Sequence, residues 1–263
     1  MKNKSKIIKI YIIPYAIVVA SLLLGLIFKS DLFGISTLIC GSLSAYYMAI
    51  GKWYCYIFGM LHSIFYAYNG AINGLFGILI FTVLFYVPLN IFGLVNWFKN
   101  KEPDHVKMKC MSAKTTVLLC CVVVSTSLCL GILLSLVPSE QLAFLDSTSQ
   151  IINLCGVVLG TLRYREAWFI WICNNIIDLA IWIINIINHS ANAEMMLSTV
   201  VAFFILNIIG LINWIKTQKR ENTNQQNWIT IKKPNLLFGF FIFLSLFVCV
   251  IFFKWYIIKA VNN

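Results

Sequence analysis

The chain has 263 residues, 60% of them hydrophobic, 15% aromatic and only 11% charged, with a net charge of +11 and a mean hydropathy of +0.87. A soluble domain is about half apolar and about a quarter charged, so a soluble enzyme, a disordered chain and a secreted disulfide scaffold are excluded. What remains is an integral membrane protein whose apolar runs of roughly 20 residues fit helices across a ~30 Å hydrocarbon core, not the short alternating strands of a barrel.

Nine spans are predicted, at about 7–28, 32–50, 52–72, 74–98, 115–137, 144–162, 166–188, 194–215 and 236–258. Lys2, Lys4, Lys6 and Lys9 lead into the apolar run of the first. That run is too long for a signal-peptide core and no clear small-x-small cleavage site follows, so it reads as a retained helix. The nine cysteines are odd in number, lack CxxC or metal-ligand spacing, and mostly sit inside spans as small packing residues. With nine crossings and the N-terminus inside, 17 of the 20 Lys and Arg residues fall on the inside, and only Lys29, Lys254 and Lys259 fall outside. The positive-inside rule supports that orientation, so the basic excess reports topology and no nucleic-acid partner is expected. Arg163, Arg165 and Glu166 read as inner anchors with a local ion pair, and Trp53, Trp97, Trp168 and Trp214 as an interfacial aromatic belt.

Two stretches repeat. Asp31, Cys40, Gly41 and Trp53 recur 115 residues later as Asp146, Cys155, Gly156 and Trp168. Leu89-Asn90-Ile91, Gly93-Leu94, Asn96-Trp97 and Lys99 recur 117 residues later as Leu206-Asn207-Ile208, Gly210-Leu211, Asn213-Trp214 and Lys216. Each repeat holds three spans, and the span at 115–137 restores the direction of the chain between them. The expected fold is therefore an all-α membrane protein with a parallel 3+1+3, SWEET-like transmembrane repeat and one extra helix at each end. The expected units are 1–30 (extra helix), 31–114 (first bundle), 115–140 (linking helix), 141–220 (second bundle) and 221–263 (linker and extra helix).

Polar residues inside the spans are the candidate site. Asp178 is the only carboxylate deep in a span, ten residues or roughly 15 Å beyond Trp168. A charge at that depth costs about 2.5–3.5 kcal/mol and marks a functional position. Asn174, Asp178, Trp182 and Asn185 share a helical face with Trp171 and Asn175 beside it, and Asp146, Gln150 and Asn153 form a second stripe on the preceding span. Under the 115-residue offset His62 aligns with Ile177 and comes to the depth of Asp178. Asn90 and Asn207 are equivalent, as helix glue or as ligand contacts. Aromatic faces beside a carboxylate suit a flat cationic ring. No P-loop, HExxH motif, nucleophile elbow or dinucleotide turn is present, so no enzyme, cofactor or metal is expected.

The Tyr56-x-x-Gly59 element, the Asn90-x-x-Gly93-x-x-x-Trp97 run, Leu145-Asp146-Ser147 and Arg163-Tyr164-Arg165-Glu166-x-Trp168-x-x-Trp171-x-x-x-Asn175 resemble the Pnu family of bacterial vitamin transporters over about residues 31–220. The resemblance implies the 3+1+3 fold, a homotrimer in the bacterial inner membrane, and facilitated diffusion of a phosphate-free vitamin precursor that a cytoplasmic kinase then traps. It also implies binding or gating roles for Trp168, Trp171 and Asn175. The expected substrate is nicotinamide riboside, with thiamine or another vitamin or nucleoside as the alternative. The expected substrate-binding set is His62, Asn90, Asn153, Trp168, Trp171, Asn175, Asp178, Trp182 and Asn207.

Overall fold

The computed structural model describes residues 11–72, 81–102, 105–136, 142–189 and 192–224. The span expected at 236–258 and the lysines before residue 11 lie outside the described residues. Among the described residues the regular structure is helical: α1 Ile13–Ile27, α2 Leu32–Ala49, α3 Cys55–Ile72, a π-helical turn Thr82–Tyr86 leading into α4 Val87–Lys99, α5 Ala113–Ser135, α6 Ala143–Thr161, α7 Glu166–Ile187 and α8 Ala193–Asn224. Five of them, α2 and α5 to α8, are long and apolar enough to cross a membrane.

Local chemistry sets several boundaries. The Asp31 carboxylate accepts from Gly34 N at 2.7 Å and caps α2, and Pro14 occupies the first turn of α1, where no donor is lost. Pro88 has no N–H and its ring crowds the carbonyl four residues back, Leu84; the wider π-helical turn directly before it relieves that clash.

The helices pack in a closed order. α2 contacts α3 and α8, α8 contacts α7, α7 contacts α6, α6 contacts α4, and α4 contacts α3, while α1 packs on α2 and α5 on α6. Exposed Leu22, Leu26, Val117, Val124, Ile176 and Ile183 give the outer surface an apolar character suited to lipid.

Two turns have the same backbone. Gly51, after α2, has φ +71°, and Arg163, after α6, has φ +69°. Gly51 N donates to Met48 O at 2.9 Å and Lys52 N to Tyr47 O at 2.8 Å; Arg163 N donates to Gly160 O at 2.9 Å and Tyr164 N to Leu159 O at 2.9 Å. Each pair of residues stands 112 positions apart, so Tyr56 corresponds to Trp168 and His62 to Asn174. This spacing differs by three residues, about one helical turn, from the 115-residue alignment of Cys40 with Cys155, and under it His62 stands opposite Asn174 where the sequence alignment sets it opposite Ile177.

The expected aromatic belt is also corrected. Trp97, Trp168 and Trp214 are 0–1% exposed and form one cluster with Tyr56, Ala49, Cys55 and Val106. Trp97 and Trp214 lie 5.9 Å apart, and Trp168 meets Trp214 edge-on at 5.7 Å. The room comes from glycine: a Cβ on Gly93 would lie 2.3 Å from the Tyr56 ring, and one on Gly210 would lie 2.4 Å from the Trp168 ring. The cluster is tied to the neighbouring helices by Trp97 Nε1 donating to Gly160 O at 3.0 Å and Trp214 Nε1 to Met48 O at 3.3 Å.

Candidate functional site

Inside the closed order of helices lies a cavity of about 200 Å³, with lining residues from α2, α3, α4, α6, α7 and α8 and from the π-helical turn. It holds all nine residues singled out from the sequence: His62 on α3, Asn90 on α4, Asn153 on α6, Trp168, Trp171, Asn175, Asp178 and Trp182 on α7, and Asn207 on α8. Asn185 and Asp146, members of the two predicted polar stripes, do not line it.

Among the described residues Asp178 is the only carboxylate in the lining, and no Lys or Arg lines it. Both carboxylate oxygens accept hydrogen bonds: Ser149 Oγ donates to Oδ1 from α6, and Asn174 Nδ2 donates to Oδ2 at 2.6 Å from one turn back on α7. Donors on both oxygens suit an ionised carboxylate and aim it at one place. The aromatic faces stand nearby on the same helix, with Trp168 and Trp171 edge-on at 5.4 Å.

His62 has different partners. Its Nδ1 meets the Thr37 carbonyl at 3.0 Å, and its ring stacks on Tyr66 at 5.7 Å and meets Phe203 edge-on at 5.6 Å. Asn90 donates to the Tyr86 carbonyl at 2.9 Å and to Ser63 Oγ at 3.3 Å, so half of its role is helix glue.

Among the described residues, four buried polar atoms of the lining have no hydrogen-bond partner: Tyr56 OH, Trp168 Nε1, Asn174 Oδ1 and Asn175 Nδ2. A buried polar group left unpaired costs about 1–3 kcal/mol. Three potential donors and an acceptor around one cavity are complementary to an amide- and hydroxyl-bearing guest. Sequence reasoning missed Tyr86, whose hydroxyl bridges Gln150 and Asn153; the available signal was its position four residues before Asn90, which puts both on one helical face. Among the described residues no three His, Cys, Asp or Glu side chains group as a metal site.

The end of the cavity beside the Trp cluster is crossed by the loop between α4 and α5. Val106 N donates to Gly51 O at 3.0 Å and Lys109 N to Arg163 O at 2.9 Å. Arg163 is 5% exposed, and its guanidinium donates to Lys107 O at 3.1 Å. Burial, and then the adjacent Arg163 charge, hold the Lys109 ammonium below its ordinary pKa. Arg165 pairs with Glu166 at 3.6 Å and donates to Gln218 Oε1 at 3.1 Å.

Comparison with known proteins agrees with this geometry. A family model described as nicotinamide mononucleotide transporter matches residues 31–216. The chain belongs to that family. It is 29% identical over 191 residues to the nicotinamide riboside transporter PnuC of Neisseria mucosa, covering 70% of this chain and 72% of that one. It is 28% identical over 198 residues to the nicotinamide riboside transporter PnuC of Haemophilus influenzae, covering 72% and 80%. A crystal structure of the vitamin B3 transporter PnuC superposes with a TM-score of 0.69 at 25% identity, covering 79% of this chain and 90% of that chain. As a member of this family the chain is a multi-pass membrane transporter. The matched stretch begins at the residue that caps α2 and ends within α8, so it spans every helix that lines the cavity.

Proposed function

We propose that the chain carries nicotinamide riboside across the bacterial inner membrane by facilitated diffusion, through the central cavity. The observation that carries this reading is the charge of the lining: among the described residues it holds one oriented carboxylate, Asp178, beside Trp and Asn side chains, and no Lys or Arg. The pyridinium of the riboside is a fixed cation that Asp178 would neutralise while Trp171 or Trp182 stacks on its face, an attraction of about 0.5–2 kcal/mol when desolvated. Asn175, Asn153 and His62 are assigned to the carboxamide and ribose, with Asn90, Asn207 and Trp168 completing the wall. A phosphate monoester would meet a carboxylate and, among the described lining residues, no Lys or Arg, which favours the riboside over the mononucleotide. The names of the two curated relatives point the same way.

The same reading includes the parallel 3+1+3 repeat, supported by the matching turns at Gly51 and Arg163. It places the N-terminus and the Trp-cluster end in the cytoplasm, on the distribution of Lys and Arg. A homotrimer and trapping of the substrate by a cytoplasmic kinase complete it. Thiamine is the second reading, because its thiazolium offers Asp178 the same fixed charge.

The test is a titration of purified protein, by calorimetry or tryptophan quenching, with nicotinamide riboside, thiamine, riboflavin and a deoxynucleoside. Tight binding of the riboside alone is expected. Tight binding of thiamine alone would move the assignment to thiamine within the same cavity, and binding of none of the four would overturn the proposal.

A further inference from the structure

We infer that Gln150 and Asn153 read the vicinal diol of a ribose, and that Tyr86 is the positioning residue that aims them. The inference rests on the riboside reading above and assigns a specificity element within it.

Gln150 and Asn153 stand three residues apart on α6, on one helical face, and both line the cavity. The Tyr86 hydroxyl lies between them: it donates to Gln150 Oε1 at 3.1 Å and accepts from Asn153 Nδ2 at 3.0 Å. One phenol therefore holds one amide by its oxygen and the other by its nitrogen. Gln150 is left to present its Nε2 donor and Asn153 its Oδ1 acceptor, and among the described residues neither of these atoms has a protein partner. Adjacent hydroxyls can each donate and accept, so a cis-diol matches one fixed donor beside one fixed acceptor.

The placement of Tyr86 supports a role beyond packing. It is 6% exposed and ends the π-helical turn Thr82–Tyr86, a distortion that often marks functional positions. The contact between α4 and α6 is already hydrogen-bonded elsewhere, by Asn96 Nδ2 to Thr161 O at 2.6 Å and Trp97 Nε1 to Gly160 O at 3.0 Å. On the other side of the cavity, 117 residues later, Phe203 replaces Tyr86 and meets His62 edge-on. A helix at that place thus packs without a phenol.

The experiment compares nicotinamide riboside with its 2′-deoxy analogue on the purified wild type, Tyr86→Phe and Gln150→Ala. The wild type should prefer the riboside by about tenfold, the range of one or two net hydrogen bonds. Tyr86→Phe should weaken the riboside by about fivefold to tenfold and leave the deoxyriboside within about twofold, so that the ratio collapses. Gln150→Ala, at a partly exposed residue, carries the same ratio test should Tyr86→Phe fold poorly. A structural Tyr86 would weaken both ligands equally, and an unchanged ratio overturns the inference. Equal binding of the two ligands by the wild type also overturns it while leaving the transporter reading intact. Failure of the riboside to bind overturns that reading, and this inference with it.

Discussion

The two sides of the cavity have related frames and unlike chemistry. At the 112-residue spacing set by the turns, Thr37, Gly41, His62 and Tyr66 correspond to Ser149, Asn153, Asn174 and Asp178. The α6–α7 side carries the carboxylate and five neutral polar side chains, whereas the α2 and α8 side offers Ser44, Thr199 and Asn207 among Gly41, Ala45, Met48, Met196, Val200 and Phe203. What they share is scaffolding: a turn at positive φ, a tryptophan bonded to a carbonyl of the opposite group, and a glycine under an aromatic ring. The shared features are turns and packing, and the differences lie in the side chains that meet the cavity.

The contrast can be broken at the frame first. Trp214→Ala removes a fully buried indole and its bond to Met48 O, and should cost about 3–5 kcal/mol of stability, read as a lowered thermal unfolding midpoint in detergent. Asp178→Asn tests the polar wall. It should weaken binding of the cationic ligand by about 30-fold or more while shifting the unfolding midpoint little, since the amide keeps the shape; unchanged binding would remove Asp178 from the site. The smallest effect separates the two turns. Gly51→Ala should destabilise by about 1 kcal/mol because a Cβ is strained at φ +71° and would lie 3.0 Å from His105 Cβ. Arg163→Gly should come out within about 1 kcal/mol of neutral, since relief of the left-handed backbone offsets the lost bond to Lys107 O; denaturant or thermal titration of both variants checks the difference.

Much of this was legible before any coordinates. Run length located α2 to α8, and buried amides beside Asp178 pointed to the cavity, because both signals depend on residue type against a lipid background. The sequence alignment pairs Asp31 with Asp146 and Gly41 with Gly156 at 115 residues, whereas the two matching turns stand 112 apart, about one helical turn away. A slip of three residues nearly completes a helical turn and returns to the same face, so the expected site residues still met in one place. The tryptophans were misread because their depth along a span says nothing of which helix stands beside them; Gly93 and Gly210 brought those neighbours in. Tyr86 stands among apolar aromatics, where its place one turn before Asn90 is a faint signal and its bonds to Gln150 and Asn153 are the clear one.

The loop between α4 and α5 has a mechanical consequence. Val106 is hydrogen-bonded to the turn at Gly51, and Lys109, three residues on, to the turn at Arg163. Three residues of extended chain reach only about 10 Å. While both bonds hold, this short tether limits how far the two turns can separate, whatever the helices above them do. A wider passage at that end therefore costs at least one of these bonds, and with Val106 only 1% exposed among the tryptophans, it also costs pulling an apolar side chain out of its seat. The loop thus acts as a tie rod between the turn at Gly51 and the turn at Arg163.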